Sequence, residues 1–363
     1  MKKVLALLCL ISLLVFALGG CTGNETSQGE SSQESSVAQE SSVAQESSAE
    51  ESPQAESSQD QKETVRVAAL KGPTGMGLAK LIEENESGES ENHYEFTLAS
   101  SADEILASII QGEFDIAAVP TNVASILYNK TEGKIQMAAV NTLGVLYVLS
   151  TDESIESIAD LEGRTVYSTG QGAVPEIAFN YVLEQNGLTP GEDVTIEYRS
   201  EHSELAALMA SGEAEIALLP QPFVTSVLNQ NENVKVVLDL TQEWNKVTEG
   251  KNDLTMGCIV VQKEFAEEHP QEMKAFLEEY QASVEYITNE ANLDDAAELV
   301  EKADIIQAAV AKKALPECNI VFIVGEEMKS ISDGFLQVIY DSVPALVGGA
   351  LPEEDFYYQQ SVE

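Results

Sequence analysis

Two stretches of the chain, 100 residues apart, share one design. The first is EILASIIQGEFDIAAVP at Glu104–Pro120, and the second is ELAALMASGEAEIALLP at Glu204–Pro220. Over 104–129 and 204–229, eight of 26 positions are identical without a gap. In each copy, apolar residues at helical spacing run to a glycine that suits a helix C-terminus, and the apolar run after it suits a strand buried on both faces. The closing proline is expected to end that strand and open the next helix.

The elements around the two copies keep the same register. Val65–Leu70 is predicted to be a strand that leads through a Gly-rich loop into a helix, and Arg164–Ser168 repeats this about 100 residues later. Two more predicted strands, Tyr94–Leu98 and Val194–Tyr198, also correspond. Strands that alternate with helices favour mostly parallel sheets. The body is therefore predicted to be an α/β fold of two duplicated lobes, with one continuous sheet as the alternative.

Ligands of open α/β sheets bind beyond the carboxyl ends of the strands. Here that rule selects the loops 71–77, 120–122, 169–175 and 220–222, which two facing lobes would bring together. Backbone N–H groups in loops that precede helices can donate to an oxygen-rich or anionic group. Trp244 is a candidate aromatic wall, with packing as the alternative. The candidate ligand-binding residues are Lys71, Gly72, Thr74, Gly75, Thr121, Asn122, Thr169, Gly170, Gln171, Gly172, Ala173, Gln221 and Trp244.

Residues suited to catalysis or metal binding are scarce. His93, His202 and His269 follow no metal-ligand spacing and are interpreted as surface histidines. Cys258 and Cys318 lie in apolar sequence and are interpreted as buried thiols, with a disulfide between them left open. The Gly-rich loops match neither a Walker loop nor a complete dinucleotide fingerprint. We therefore expect no enzyme, no cofactor and no metal.

The charge of the chain excludes one class of function. It has 62 acidic against 19 basic side chains, for a formal charge of −43. A protein that binds nucleic acid by neutralising phosphates needs the opposite balance. From residue 64 onward, 52 acidic side chains face 16 basic ones, so the charge belongs to the folded body. At physiological salt the field fades over about 8 Å, so an anion in a closed cleft is not forbidden.

The N-terminus has the features of an export signal. Lys2 and Lys3 precede the apolar run Val4–Leu18, which is too short for a comfortable membrane span. The run ends in Leu18-Gly-Gly-Cys21, which resembles the lipobox of bacterial lipoproteins. That resemblance implies a signal peptide at 1–20, a lipid on Cys21 and a location outside the cytoplasm. The alternative is an ordinary cleaved signal followed by a chance cysteine.

A polar spacer separates Cys21 from the body. Residues 21–63 are rich in Ser, Glu and Gln and contain the tandem hexapeptide ESSVAQ at 34–39 and 40–45. Such a segment buries too little apolar surface to offset its ordering entropy, so it is predicted to be a disordered tether. The acidic body would be repelled by an anionic membrane surface, and a tether would hold it away from that surface.

The body resembles the solute-binding lipoproteins of bacterial ABC importers, in the nitrate/sulfonate/taurine and thiamine-precursor group. The resemblance covers about the whole of 64–363. Its motifs are LKGPTGMG at Leu70–Gly77, IADLEGRTV at Ile158–Val166 with Gly170-Gln-Gly172, VQKEFAEEHP at Val261–Pro270 before a helix at Met273–Tyr286, PECNIVF at Pro316–Phe322 and LPEEDFYY at Leu351–Tyr358.

The resemblance implies a type II periplasmic-binding fold that closes on a small polar solute. Leu143–Leu149 and Leu254–Val261 would be the two crossing strands, with lobe one at 64–147 plus 257–363 and lobe two at 148–256. The implied partners are an ABC permease and its ATPase, with the membrane reached through the lipid anchor. We expect a monomer.

The resemblance leaves the solute open. Arg66 and Arg164 are expected to lie opposite the cleft, which weakens the case for an anion and keeps a neutral heterocycle or a cation in play. Two other functions are retained as alternatives. One is a lipoprotein sensor or adhesin, and the other is an enzyme of the same fold that acts on a thiamine-precursor-like substrate.

Overall fold

The computed structural model describes residues 63–359. The predicted signal peptide, Cys21 and all but the last residue of the predicted tether lie outside this range. The strands within it are β1 (Thr64–Leu70), β2 (His93–Ala99), β3 (Ile116–Pro120), β4 (Ile135–Leu143), β5 (Leu146–Ser150), β6 (Thr165–Ser168), β7 (Thr195–Tyr198), β8 (Ile216–Pro220), β9 (Lys235–Asp239), β10 (Thr255–Gln262) and β11 (Ile320–Ile323).

Helices connect most of these strands. The α-helices are α1 (Pro73–Met76), α2 (Ala79–Ser87), α3 (Ala102–Ile110), α4 (Thr121–Lys130), α5 (Val174–Gln185), α6 (His202–Ser211), α7 (Phe223–Gln230), α8 (Leu240–Val247), α9 (Lys263–Glu268), α10 (Pro270–Thr288), α11 (Leu293–Lys302), α12 (Ala308–Ala314) and α13 (Gly325–Ser342). No helix in residues 63–359 is long and apolar enough to cross a membrane.

The strands form two sheets with the same internal order. Sheet one runs β2-β1-β3-β10-β4-β11, and sheet two runs β7-β6-β8-β5-β9. In each, the first strand of the repeat lies between the second and the third, and a strand that arrives from the other half of the chain comes next. The shared order confirms the predicted duplication and the two-sheet architecture.

Both sheets are mixed: most strands of each run in one direction, as predicted, and antiparallel strands stand among them. β1 pairs in parallel with β2 and β3, but β10 pairs antiparallel with β3 and β4. In sheet two, β5 likewise pairs antiparallel with β8 and β9. The physical reason is connectivity, because β5 and β10 each enter a sheet from the other one and therefore run against the strands that helices connect within that sheet.

The chain passes between the sheets twice. The outgoing passage lies between the end of β4 at Leu143 and the start of β5 at Leu146, so Leu143–Leu149 is not one continuous strand. The return enters sheet one at β10. The lobe ranges 64–147 plus 257–363 and 148–256 remain a proposal. If each strand is assigned to the lobe of its sheet, the first boundary moves to residues 144–145 and the second to residue 254.

The repeated segments fold as their sequences indicate, except at the prolines. α3 and α6 are followed by Gly112 and Gly212 with φ of 73° and 81°, a backbone conformation that glycine adopts without steric cost. The helices after the strands begin later than predicted. Pro120 is still the last residue of β3, and α7 begins three residues beyond Pro220, because both prolines keep the extended pairing of their strands.

Cys258 and Cys318 are buried free thiols, which confirms their interpretation as packing residues. Burial raises the pKa of both thiols, so they stay protonated and unreactive at neutral pH.

Candidate functional site

A cavity of about 170 Å³ lies where the carboxyl-end loops of the two sheets meet. An enclosed space of about 150 Å³ holds a molecule the size of benzene. The cavity therefore fits a solute of similar size, well below the volume of a drug-sized pocket.

The two repeats contribute corresponding positions to the cavity wall. Pro120 and Pro220 both line it, as do Ser100 and Ser200. Ala102 of sheet one faces the same cavity as His202, its counterpart 100 residues later. The duplication thus places the cavity between two equivalent sets of loops.

The structure brings six of the thirteen candidate residues to the cavity wall. They are Lys71, Gly72, Thr74, Gly170, Ala173 and Gln221. The other seven do not line it, and they are Gly75, Thr121, Asn122, Thr169, Gln171, Gly172 and Trp244. All four of the loops selected from the sequence contribute to the wall, counting Pro120 for the loop 120–122.

Several of the other candidates make contacts that hold the loops of the cavity wall in place. A Cβ on Gly75 would lie 2.5 Å from the carbonyl oxygen of Leu70, so this glycine permits a close backbone approach. Asn122 is fully buried, and its Nδ2 donates to the carbonyl oxygens of Gly172, at 3.2 Å, and Leu346, at 3.1 Å. Asn122 thereby joins α4 of sheet one to a loop of sheet two. Thr121 is buried beside it.

Trp244 is a packing residue, which corrects its assignment as an aromatic wall for the solute. The side chain is fully buried, and its ring centroid lies 5.1 Å from that of Tyr181 and 5.6 Å from that of Phe335. Its Nε1 donates to the carbonyl oxygen of Asn252 at 2.7 Å. The polar sequence around Trp244 concealed this burial, because the partner rings are distant in the chain.

Two loops at the wall escaped the sequence analysis. Ser100–Ala102 follows β2, and Ser200 with His202 follows β7. The strand-end rule that selected the other loops applies equally to these two strands, but the loops after them have neither a Gly-rich turn nor a strand-ending proline. Thr142, Val145 and Met256 also line the cavity from the two passages between the sheets.

The interpretation of His202 as a surface histidine is wrong. It lines the cavity, its Nδ1 lies 2.5 Å from Thr169 Oγ1, and its ring lies against Phe223 with centroids 5.2 Å apart. Burial lowers the pKa of His202 to about 4, so the imidazole is neutral at pH 7. It therefore offers hydrogen bonding without charge.

The cavity wall is free of acidic side chains. None of the 21 described residues that line it is Asp or Glu, although the chain has 62 acidic side chains. Lys71 is the one lysine or arginine among them, and its Nζ lies 2.6 Å from Asp304 Oδ2. The ion pairs of Arg66 with Asp115 and Arg164 with Asp152 lie elsewhere, as expected for arginines opposite the cleft.

Five helices of eight residues or more begin at the cavity. They are α3, α4, α5, α6 and α7. Each has its first residue, or the residue before it, in the cavity wall, and at α7 the wall includes Gln221 as well as the first residue of the helix, Phe223. The free N–H groups and the dipole of a helix N-terminus favour negative charge by about 0.3–1 kcal/mol each. Each of these N-termini therefore contributes a local preference for negative charge at the cavity.

A cluster of three side chains with metal-ligating atoms lies away from the cavity. Within the described residues, ligand atoms of Glu63, His269 and Glu272 lie within 4.8 Å of one another. All three side chains are at least partly exposed, with nitrogen–oxygen separations of 3.8 and 4.0 Å that fit weak surface ion pairs.

Known proteins resemble this chain in sequence and in fold. The family described as "ABC transporter, phosphonate, periplasmic substrate-binding protein" matches residues 79–312. No curated protein sequence matches the chain significantly.

Solved structures share the fold at low sequence identity. An ABC transporter protein of Parabacteroides distasonis is 24% identical with a TM-score of 0.68, over 82% of this chain and 99% of that one. The periplasmic aliphatic sulphonate binding protein SsuA of Escherichia coli is 17% identical with a TM-score of 0.65, over 82% and 93%. The alkanesulfonate-binding protein SsuA of Xanthomonas axonopodis pv. citri, bound to MOPS, is 15% identical with a TM-score of 0.61, over 80% and 94%.

These structures confirm the two-lobed periplasmic-binding fold. The family match spans well over half of the chain, from the start of α2 to a position within α12. The chain therefore belongs to the periplasmic substrate-binding proteins of ABC transporters, in the phosphonate-binding family.

Proposed function

We propose that the protein is a lipid-anchored, extracytoplasmic receptor that captures a small oxyanion in the cavity between its two sheets and delivers it to an ABC permease. The observation that carries the proposal is the absence of acidic side chains among the described residues of the cavity wall, in a chain of formal charge −43. A cationic solute would need acidic side chains in the wall, because a buried charge requires a partner of opposite charge.

The shape and polarity of the cavity support an anion with a small apolar part. Helix N-termini and Gln221 offer donors, whereas Val145, Val174 and Phe223 offer apolar surface. Methylphosphonate and methanesulfonate have this composition, and both are compatible with a cavity of about 170 Å³. The phosphonate-binding family and the sulfonate-binding neighbours make these two chemistries the first to test.

A thermal-shift panel tests the charge of the solute. We expect the unfolding midpoint of the mature protein to rise with at least one of methylphosphonate, methanesulfonate and nitrate. Binding stabilises the folded state by about 2.7 kcal/mol when the solute is at a hundredfold excess over its dissociation constant. Guanidinium is the matched control for nitrate, since both ions are planar and trigonal but opposite in charge, and acetamide supplies a neutral control.

Each outcome of the panel bears on the proposal. A rise with guanidinium or acetamide and with none of the anions would contradict the anion assignment. No response to any of the five compounds would count against solute capture itself and favour a lipoprotein sensor or adhesin.

The anchor is proposed from the lipobox-like sequence that ends at Cys21. Two or three acyl chains would hold the protein stably on the membrane, whereas one would not. Cys21→Ser removes the acceptor thiol, so we expect the variant to leave the membrane fraction while the unaltered protein stays in it. Equal membrane retention of both proteins would refute the lipid anchor.

A further inference from the structure

Gln221 lies at the cavity wall, and both its backbone and its side chain are hydrogen-bonded. The residue follows the last position of β8 and is 5% exposed. Its side-chain Oε1 accepts hydrogen bonds from the backbone N–H of Thr225 at 3.2 Å and from Thr225 Oγ1 at 2.8 Å. Its own backbone N–H donates to the carbonyl oxygen of Val145 at 3.0 Å.

The chemistry of these partners sets the orientation of the Gln221 amide. A backbone N–H can only donate, so the amide atom that faces Thr225 must be the oxygen. Nε2 is then the amide atom left for the cavity, and within residues 63–359 it has no hydrogen-bond partner. A bound solute with an acceptor atom would complete the hydrogen bonding of this donor.

We propose that Thr225 is a positioning residue that sets the polarity of this part of the wall. Its backbone N–H sets which end of the Gln221 amide faces the cavity, and its hydroxyl holds the amide there, so that the site presents a donor, and not an acceptor, to the solute. The proposal rests on the proposed function, because the donor acts only when a solute is bound. Thr225 is 8% exposed and does not line the cavity, so it acts through Gln221.

Capping of α7 is the purely structural role for the same contact. Thr225 is the third residue of that helix, and its N–H has no partner within the helix. Capping requires only this N–H. The second hydrogen bond, from the Thr225 hydroxyl, is unnecessary for capping, so removal of the hydroxyl separates the two roles.

Thr225→Val removes the hydroxyl and keeps the side-chain shape and the backbone N–H. With methylphosphonate, methanesulfonate and nitrate as probes in calorimetry, we expect the dissociation constant of each anion that binds the wild type to rise about 3- to 10-fold, the effect of one hydrogen bond. Thr225→Ser keeps the hydroxyl and should restore the wild-type value. Gln221→Glu places an acceptor and a charge at the wall, so it should weaken binding by about 100-fold.

A second readout needs no solute. Because Gln221 Oε1 accepts the Thr225 N–H, that amide should exchange slowly with deuterium in the wild type and in Gln221→Glu. In Gln221→Leu it should exchange at least about tenfold faster. These rates are measured by NMR on the mature protein without added anion.

The two readouts fail in different ways. Equal exchange in the wild type and Gln221→Leu would overturn the assigned orientation, whatever binds. Wild-type affinity in Thr225→Val would overturn the positioning role. Slow exchange that depends on Gln221, in a protein that binds none of the three anions, would support the orientation and refute the proposed function.

Discussion

Replacing Trp244 by alanine is expected to lower the free energy of unfolding by about 3–5 kcal/mol, the range for removing a large aromatic side chain from a core. Trp244 is fully buried in α8 between Tyr181 and Phe335. Phe335 belongs to α13, which packs on β4 and β10 of sheet one. The cavity that alanine would leave therefore lies where the two halves of the chain pack together.

Trp244→Phe is the matched control for this prediction. It keeps much of the ring volume but removes the hydrogen bond from Nε1 to Asn252, so we expect a loss of about 1 kcal/mol from that bond plus a smaller packing term. Urea unfolding measures both losses. Because Trp244 does not line the cavity, Trp244→Phe should bind methylphosphonate as the wild type does. If Trp244→Phe kept its stability but bound methylphosphonate much more weakly, Trp244 would have to be reassigned as a ligand-binding residue.

The parts of the fold that follow from local sequence pattern were predictable. The strand predicted at Val65–Leu70 is extended by one residue in β1, and that at Tyr94–Leu98 by one residue at each end in β2, because each is a compact run that suits a strand. The antiparallel entry of β5 and β10 was not predictable in this way, since it depends on which sheet each strand joins. That choice is made by packing between segments far apart in the chain.

The site was predictable by position but not by role. The strand-end rule located Gln221 and Gly170, since parallel strands end on one edge. Applied to β7, it reaches the loop before His202, but it does not reveal the contacts of the ring, because Thr169 follows β6 and Phe223 begins α7. Nor could it reveal that Trp244 is buried, because a polar local sequence does not report tertiary contacts.

Ala173→Asp is expected to weaken the binding of an anionic solute by about 100-fold relative to Ala173→Asn. Ala173 lines the cavity and is the residue before the first turn of α5, where no side chain caps the helix. Asp and Asn are equally good at that position, and each should stabilise the protein by about 0.5–2 kcal/mol relative to alanine. The two variants therefore have the same fold and the same cap, and they differ by one negative charge.

The charge alone sets the size of the expected difference. Two like unit charges about 6 Å apart repel by about 2.7 kcal/mol at an effective dielectric constant of about 20, which corresponds to about 100-fold in affinity. Calorimetry with methylphosphonate, methanesulfonate and nitrate measures the ratio between the variants. Equal affinities would contradict the placement of the bound anion beside Ala173 at the start of α5.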